Sequence, residues 1–383
     1  MKRIFTLLAA LLVLAACQKS SIPVYVWYGW HPDKVSAEEF GSKLKEWKKH
    51  GVVGVCVENG GLADEGTIAQ IEACGKIVHA AGLEFHAWVP SVLLPGRDSS
   101  WYTVNRHGRS AYRPEDRAYV TYYATVDPHN PDVMDFLAER YARIAAIPEV
   151  DYVQLDYIRY ADVILAEGLW GKYEGVIDHE WRDSEGRVHE YPGADYCYCD
   201  ACVADFKAKT GVDIRESVAA GEDPSLNAEW AQFRCDNVKN LVGRIAEAVH
   251  AQGKKLSADV FPGPYSYAEK MVRQQWDRWD VDVLFPMNYN DFYMEPASWV
   301  GKVTAEAVKC CSGKPVYSGL FICRDWQHKA DVIDPENSGL LPSEMEDAVS
   351  GAMAAGAAGI CLFTPDDMTT EHWAALDKAL GLR

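Results

Sequence analysis

The chain has 383 residues, with 38 Lys and Arg against 56 Asp and Glu for a formal charge of −18, and 48% of it is apolar with 25% charged. That balance belongs to a folded globular protein and excludes disordered, collagen-like and disulfide-scaffold classes. The acidic excess also argues against nucleic acid as a partner, against an anionic bilayer and against polyanionic substrates, all of which would be repelled at long range. Thirteen Trp and 20 Tyr supply many flat faces with polar tips, equally suited to a core and to a sugar-binding cleft.

Met1-Lys2-Arg3 opens the chain and an apolar stretch from Ile4 to Ala16 follows. It is too short to span a hydrocarbon core of roughly 30 Å as a helix, and it reads as an export signal. The stretch ends in Leu14-Ala15-Ala16-Cys17. This approach to a Cys resembles the bacterial lipoprotein cleavage box, in which the Cys becomes the lipidated first residue. The expectation is a signal peptide over 1–16, a lipidated leader over 17–23, and a protein of the bacterial cell envelope tethered to a membrane through Cys17. Ordinary secretion, with Cys17 a spectator, is the alternative.

Beyond the leader, short β-rich runs alternate with longer helical patterns, as parallel βαβ units do. The strands are expected at Val24 to Tyr28, Val52 to Glu58, Glu84 to Val89, Asp151 to Asp156, Lys255 to Phe261, Asp282 to Asn288, Pro315 to Phe321 and Gly359 to Phe363. Helical patterns fall at Ala37 to Lys49, Thr67 to Ala81, Pro131 to Ala146, Glu229 to Gln252, Tyr267 to Trp276, Ala297 to Val308, Ser343 to Ala355 and Glu371 to Leu380. Eight of each describe an α/β protein made of a single (β/α)8 TIM barrel over 24–383. The third helix carries its own start signal, Asp127-Pro128-His129-Asn130-Pro131-Asp132. Two connections are long, Pro90 to Asn130 after strand three and the insertion Arg159 to Asn227 after strand four. Both leave the C-terminal ends of their strands, where barrel enzymes place their active sites.

Side chains alternate along a strand, so one set faces the barrel axis. In strand four, Val153 and Leu155 suit the helix layer, which leaves Tyr152, Gln154 and Asp156 facing inward. The same test points Glu58, His86, Trp88, Ser257, Asp259 and Asn288 at the interior or its mouth. Gathering carboxylates there is costly unless partners or a substrate compensate. Arg159, three residues past Asp156, is a candidate partner that would keep Asp156 ionised.

The run Asp151-Tyr152-Val153-Gln154-Leu155-Asp156-Tyr157-Ile158-Arg159-Tyr160 resembles the glycosyl hydrolase-like family 10, (β/α)8 proteins of bacterial envelopes whose fourth strand ends in Asp-Tyr-Ile-Arg-Tyr. Asp127 to Val133, Gln275-Trp276 with Trp279, Val281-Asp282-Val283 and Pro286-Met287-Asn288-Tyr289 are similar to further segments of that family, so the resemblance covers roughly residues 24 to 366. It implies cleavage of glycosidic bonds in a polysaccharide or peptidoglycan-like glycan. Strand seven, ending Tyr317-Ser318-Gly319-Leu320, carries no Glu, so barrel glycosidases with a nucleophile on that strand are a poor template.

Glycoside hydrolysis needs two carboxyl groups across the scissile bond, one protonated and one ionised. Asp156 is the expected nucleophile or charge stabiliser and Asp259 the proton donor, with Asp291 and Glu58 in reserve. His86, Trp88, Tyr157, Arg159, Asn288 and Tyr289 would hold the sugar, with Trp27, Trp30 and Trp101 extending the surface. Catalysis of this kind needs no cofactor. Two other functions fit the same residues, a glycan-binding lipoprotein without catalysis and a metal-dependent deacetylase using His86 with Asp156 and Asp259.

Cys197, Cys199 and Cys202 form C-x-C-x-x-C in the fourth connection. The spacing suits three ligands of a structural zinc, with Cys235 a candidate fourth, and it equally suits a disulfide in an exported protein.

Overall fold

The computed structural model describes residues 22–58, 65–173, 188–311, 313–329 and 337–382. Each apolar run forms a strand: β1 (Val24–Tyr28), β2 (Val52–Glu58), β3 (Glu84–Pro90), β4 (Tyr152–Asp156), β5 (Lys255–Val260), β6 (Val283–Pro286), β7 (Tyr317–Phe321) and β8 (Gly359–Phe363). The strands are parallel in the order β6-β5-β4-β3-β2-β1-β8-β7. Parallel bridges Leu284–Val316 and Met287–Gly319 bring β6 against β7 and close the ring into a (β/α)8 barrel.

Helices cover the outside. They are α1 (Ala37–Lys48), α2 (Glu65–Ala80), α3 (Pro131–Ala145), α4 (Trp170–Tyr173), α5 (Asp200–Thr210), α6 (Ile214–Ala219), α7 (Ala228–His250), α8 (Glu269–Val272), α9 (Trp299–Cys310), α10 (Pro342–Ala354) and α11 (Thr370–Leu380). Of these, α4, α5 and α6 lie in the long connection after β4. The start of α3 follows its sequence signal, because Asn130 accepts from the Asp132 N–H and Pro131 occupies the first turn. The helix expected over Tyr267 to Trp276 is broken up instead. Arg273 leaves α8 in the left-handed conformation at φ 60°, and its guanidinium pairs with Glu190 of the β4 connection. Past this turn Gln274 no longer continues the helix and accepts from the Phe261 N–H just past the end of β5 (2.9 Å).

Inside the ring, large rings fit against residues that lack a side chain. A Cβ on Gly54 would overlap the Tyr25 ring, and one on Gly319 would lie 2.7 Å from Trp27. These two glycines make room for the aromatic pair that β1 sends into the barrel. The lower layer is polar and closed: Tyr25 Oη donates to Glu84 (2.6 Å), and His86 stacks on Tyr152 with centroids 4.2 Å apart. The floor of the mouth is thereby solid, and ligand access is from the C-terminal ends of the strands.

Cys17 and most of the leader lie outside the described residues. Among those described, no helix is long and apolar enough to cross a membrane.

Candidate active site

A cleft of about 490 Å3 opens at the C-terminal ends of the strands. Trp27, Glu58, Trp88, Asp156 and Asp259 reach it from β1 to β5, each from the inward parity of its strand. Met287, Phe321 and Phe363 continue the ring from the β6, β7 and β8 side, while Tyr157, Arg159 and Tyr289 line it from the loops.

Two carboxyl groups occupy its base. The pairing of β4 with β5 runs through Leu155–Ala258, which puts Asp156 and Asp259 one step further on, side by side on neighbouring strands with the same inward parity. Asp156 Oδ1 accepts from the Tyr157 N–H (2.6 Å) and Oδ2 from Trp88 Nε1 (3.0 Å). Asp259 Oδ1 accepts from Trp27 Nε1 (3.0 Å) and Gln154 Nε2 (2.5 Å). Its Oδ2 is buried and has no hydrogen-bond partner among the described residues. Tyr157, which hands its N–H to Asp156, sits at φ 47°, a conformation seldom adopted by a bulky residue and frequent where a site imposes it.

Burial dominates the electrostatics of the pair. It raises Asp156 above the ordinary carboxylate range, against the N–H groups of Tyr157 and Trp88 and the Arg159 charge, and the Glu58 charge adds to the rise. Asp259 is lifted as well, first by burial and then by the Asp156 charge, although Gln154 and Trp27 pull the other way. Asp259 therefore holds a proton at pH values where an exposed carboxyl would have lost it.

Arg159 takes a different partner from the one its spacing suggests. Its Nη1 pairs with Asp162 at 2.6 Å and Nη2 donates to Tyr123 Oη at 3.1 Å. The guanidinium lies 5.1 Å from the Tyr157 ring and 4.8 Å from the Phe261 ring. Those aromatic faces and Asp162 hold it as a wall of the cleft, and it reaches Asp156 only as a nearby charge.

Five expected site residues lie elsewhere, each for a visible reason. Asn288 falls past the end of β6 with the opposite parity, and its Nδ2 donates to Ser318 (2.8 Å) and to Thr304 of α9 (3.2 Å). Asp291 pairs with Lys329 (2.7 Å) and accepts from the Gly339 N–H (2.7 Å), so it ties together the loops after β6 and β7. Trp30 stacks on Phe40 of α1 and donates to the Val35 carbonyl (2.9 Å). His86 is 1% exposed in the lower layer, with Nδ1 against Ser257 (3.0 Å) and Nε2 against Glu84 (3.2 Å). It does not join Asp156 and Asp259, which removes the geometry that a deacetylase metal centre would need. Trp101 packs on Phe136 of α3, away from the cleft.

Part of the wall comes from loop residues that strand alternation does not reach. Tyr119, Tyr122 and Tyr123 come from the connection after β3 and Asp162, Leu165 and Tyr173 from the one after β4. The Tyr119-Val-Thr-Tyr-Tyr cluster, in a loop too long to be a simple turn, was the available signal. Phe321 and Phe363 were readable from the strand alternation through Gly319 and Cys361.

Cys197, Cys199 and Cys202 converge as expected, but the fourth group at the cluster is Asp127, with all four ligand atoms within 4.8 Å of one another. Cys235 sits apart from them, buried on α7.

No family model matches the chain, and no curated protein is similar to it. The chain is similar in structure to the catalytic domain of β-amylase from Paenibacillus polymyxa, with a TM-score of 0.56, 12% identity, and coverage of 92% of this chain and 95% of that one. It is also similar to α-L-fucosidase isoenzyme 2 from Paenibacillus thiaminolyticus, with a TM-score of 0.53, 12% identity and coverage of 94% and 49%. The Bacillus cereus spore cortex-lytic enzyme SleL gives a TM-score of 0.52, 8% identity and coverage of 94% and 75%. At such identities the likeness establishes the (β/α)8 fold, and the resemblance to the glycosyl hydrolase-like family 10 rests on the sequence motifs alone.

Proposed function

We propose that this protein is a glycoside hydrolase that cleaves a polysaccharide or peptidoglycan-like glycan, with Asp156 and Asp259 as its two carboxyl groups. The observation that carries the reading is the pair itself: two buried carboxyls side by side at the base of an aromatic cleft, neither in an ion pair among the described residues, one with an oxygen left unbonded. Asp259, raised by burial and with Oδ2 free of any hydrogen bond among the described residues, gives its proton to the leaving glycosidic oxygen. Asp156, with an N–H donor on each oxygen where Asp259 has both on one, is the better site for negative charge and attacks the anomeric carbon or stabilises the cation that develops there. Trp27, Trp88, Tyr157 and Tyr289 offer faces and polar tips to the sugar. Glu58 stands at the same mouth as the reserve carboxylate. The neighbours named β-amylase, α-L-fucosidase and spore cortex-lytic enzyme accord with this reading.

The proposal extends to the cell envelope through lipidation at Cys17. The Pro23 carbonyl accepts from the Ile360 N–H (3.1 Å) at the N-terminal end of the barrel, opposite the cleft. The described chain thus enters the barrel at the end away from the mouth. The test of function is turnover on a panel of glycans that includes peptidoglycan, with Asp156→Asn beside the unmodified protein. Turnover lost in the variant with glycan binding retained supports the enzyme, whereas binding without turnover in the unmodified protein supports a non-catalytic glycan binder.

A further inference from the structure

The geometry points to a structural zinc site formed by Asp127, Cys197, Cys199 and Cys202, which clamps the two long connections of the cleft to each other. Asp127 closes the connection after β3, and the three cysteines belong to the connection after β4. Asp127 Oδ2 lies 3.1 Å from Cys199 Sγ and 3.3 Å from Cys202 Sγ, and all four donor atoms fall within 4.8 Å of one another. A tetrahedral zinc with Zn–S near 2.3 Å and Zn–O near 2.1 Å separates its donors by roughly 3.5–3.8 Å, so the cluster needs only small adjustments to close on the ion.

Three further details fit an ion better than a disulfide. The Val104 N–H donates to Cys197 Sγ and the Cys202 N–H to Cys199 Sγ, both at 3.4 Å, which stabilises sulfur in its anionic, metal-binding form. Asp127 stands in the start signal of α3 but Asn130 does the capping. Asp127 spends Oδ1 on the His129 N–H (3.0 Å) and leaves Oδ2 to the sulfurs. A disulfide would use two sulfurs and leave the Oδ2 of a 3% exposed carboxylate with at most one weak S–H donor. Cys199, half-exposed at the rim of a surface depression, gives the ion a way in. Four protein ligands leave no open position, which makes the site structural rather than catalytic. Binding displaces three thiol protons to water as the three Zn–S bonds form.

The experiment is elemental analysis of the full chain, purified without added metal or chelator, together with thiol titration in denaturant without reductant. The expected result is about one zinc per chain, as for a closed four-ligand site, and all three cluster cysteines titrating once the zinc is released. Cys235→Ser keeps the zinc, whereas Cys202→Ser and Asp127→Ala lose most of it. Stripping the unmodified protein with a strong chelator lowers its thermal midpoint, and added zinc restores it. Absence of zinc together with a disulfide between two of the three cysteines, or zinc lost on Cys235→Ser, would overturn the assignment. These outcomes are read on the unmodified chain and Cys235→Ser, so they decide even if the ligand variants fail to fold.

Discussion

Asp195, in the connection after β4, and the pair Asp156 and Asp259, at the base of the cleft, are buried to a similar degree and are treated in opposite ways by their surroundings. Asp195 pairs with Arg234 and with Arg106 (2.9 Å) and accepts from Tyr198 Oη (2.6 Å). Burial pushes it up, but the charges of Arg234, Arg106 and Arg273 outweigh that and bring it down to about 2. No arginine or lysine pairs with Asp156 or Asp259 among the described residues, and both carboxyls are raised. The fold neutralises the carboxylate it uses to hold a loop and leaves uncompensated the two that face the cleft. Uncompensated burial of that kind is the mark of a group kept for a ligand.

The sharpest way to break the contrast is to remove Asp195. Asp195→Ala strands buried guanidinium groups, and a loss of about 3–5 kcal/mol in urea unfolding is expected, because breaking a buried pair leaves an unpaired charge. The stability that Asp195 contributes is present above the ordinary Asp value near 4 and disappears as pH falls toward about 2. A loss under 1 kcal/mol would show that the arginines do not depend on it.

A smaller effect, on the order of 1.5–3 kcal/mol for a hydrogen bond to a charged group, is expected from the indole donors at the cleft. Trp88→Phe removes a donor to ionised Asp156, so the Asp156 value rises and the acid limb of the pH–rate profile moves to higher pH. Trp27→Phe removes a donor to Asp259, so the alkaline limb moves up as well. Limbs that do not move, or that move together in both variants, would separate these indoles from the titrating pair.

A third effect, at Asp259, has the opposite sign from that at Asp195. A raised carboxyl in the folded state holds a proton that the unfolded chain releases. Stability therefore falls as pH climbs from about 4 through the folded value. Asp259→Asn is expected to be more stable than the unmodified protein at pH 7 and equal to it near pH 4, measured by thermal unfolding. Equal midpoints at both values would mean that Asp259 carries no burial penalty.

The barrel was legible because each strand is a short β-rich run between turn signals, and alternation in β2, β3, β4 and β5 separated the inward polar residues from the outward apolar ones. That alternation alone assigns Glu58, Trp88, Asp156 and Asp259 to the mouth, where the cleft has them. It failed on β6, where Val283, Leu284, Phe285 and Pro286 are apolar on both faces, so the parity of Asn288 could not be read. Partners separated by many residues stayed hidden. The pairing of Asp291 with Lys329, of Arg159 with Tyr123, and of Asp127 with the cysteines arises from loops meeting in space, and a strand or helix period carries no trace of such meetings.

The most direct measurement is the turnover of the unmodified protein, Asp156→Asn and Asp259→Asn on one glycan that it cleaves, with binding of that glycan measured in parallel. The account predicts that each variant binds the glycan while kcat falls by about 10²–10⁴, the contribution of one positioned acid or base. Unchanged kcat in either variant would contradict it.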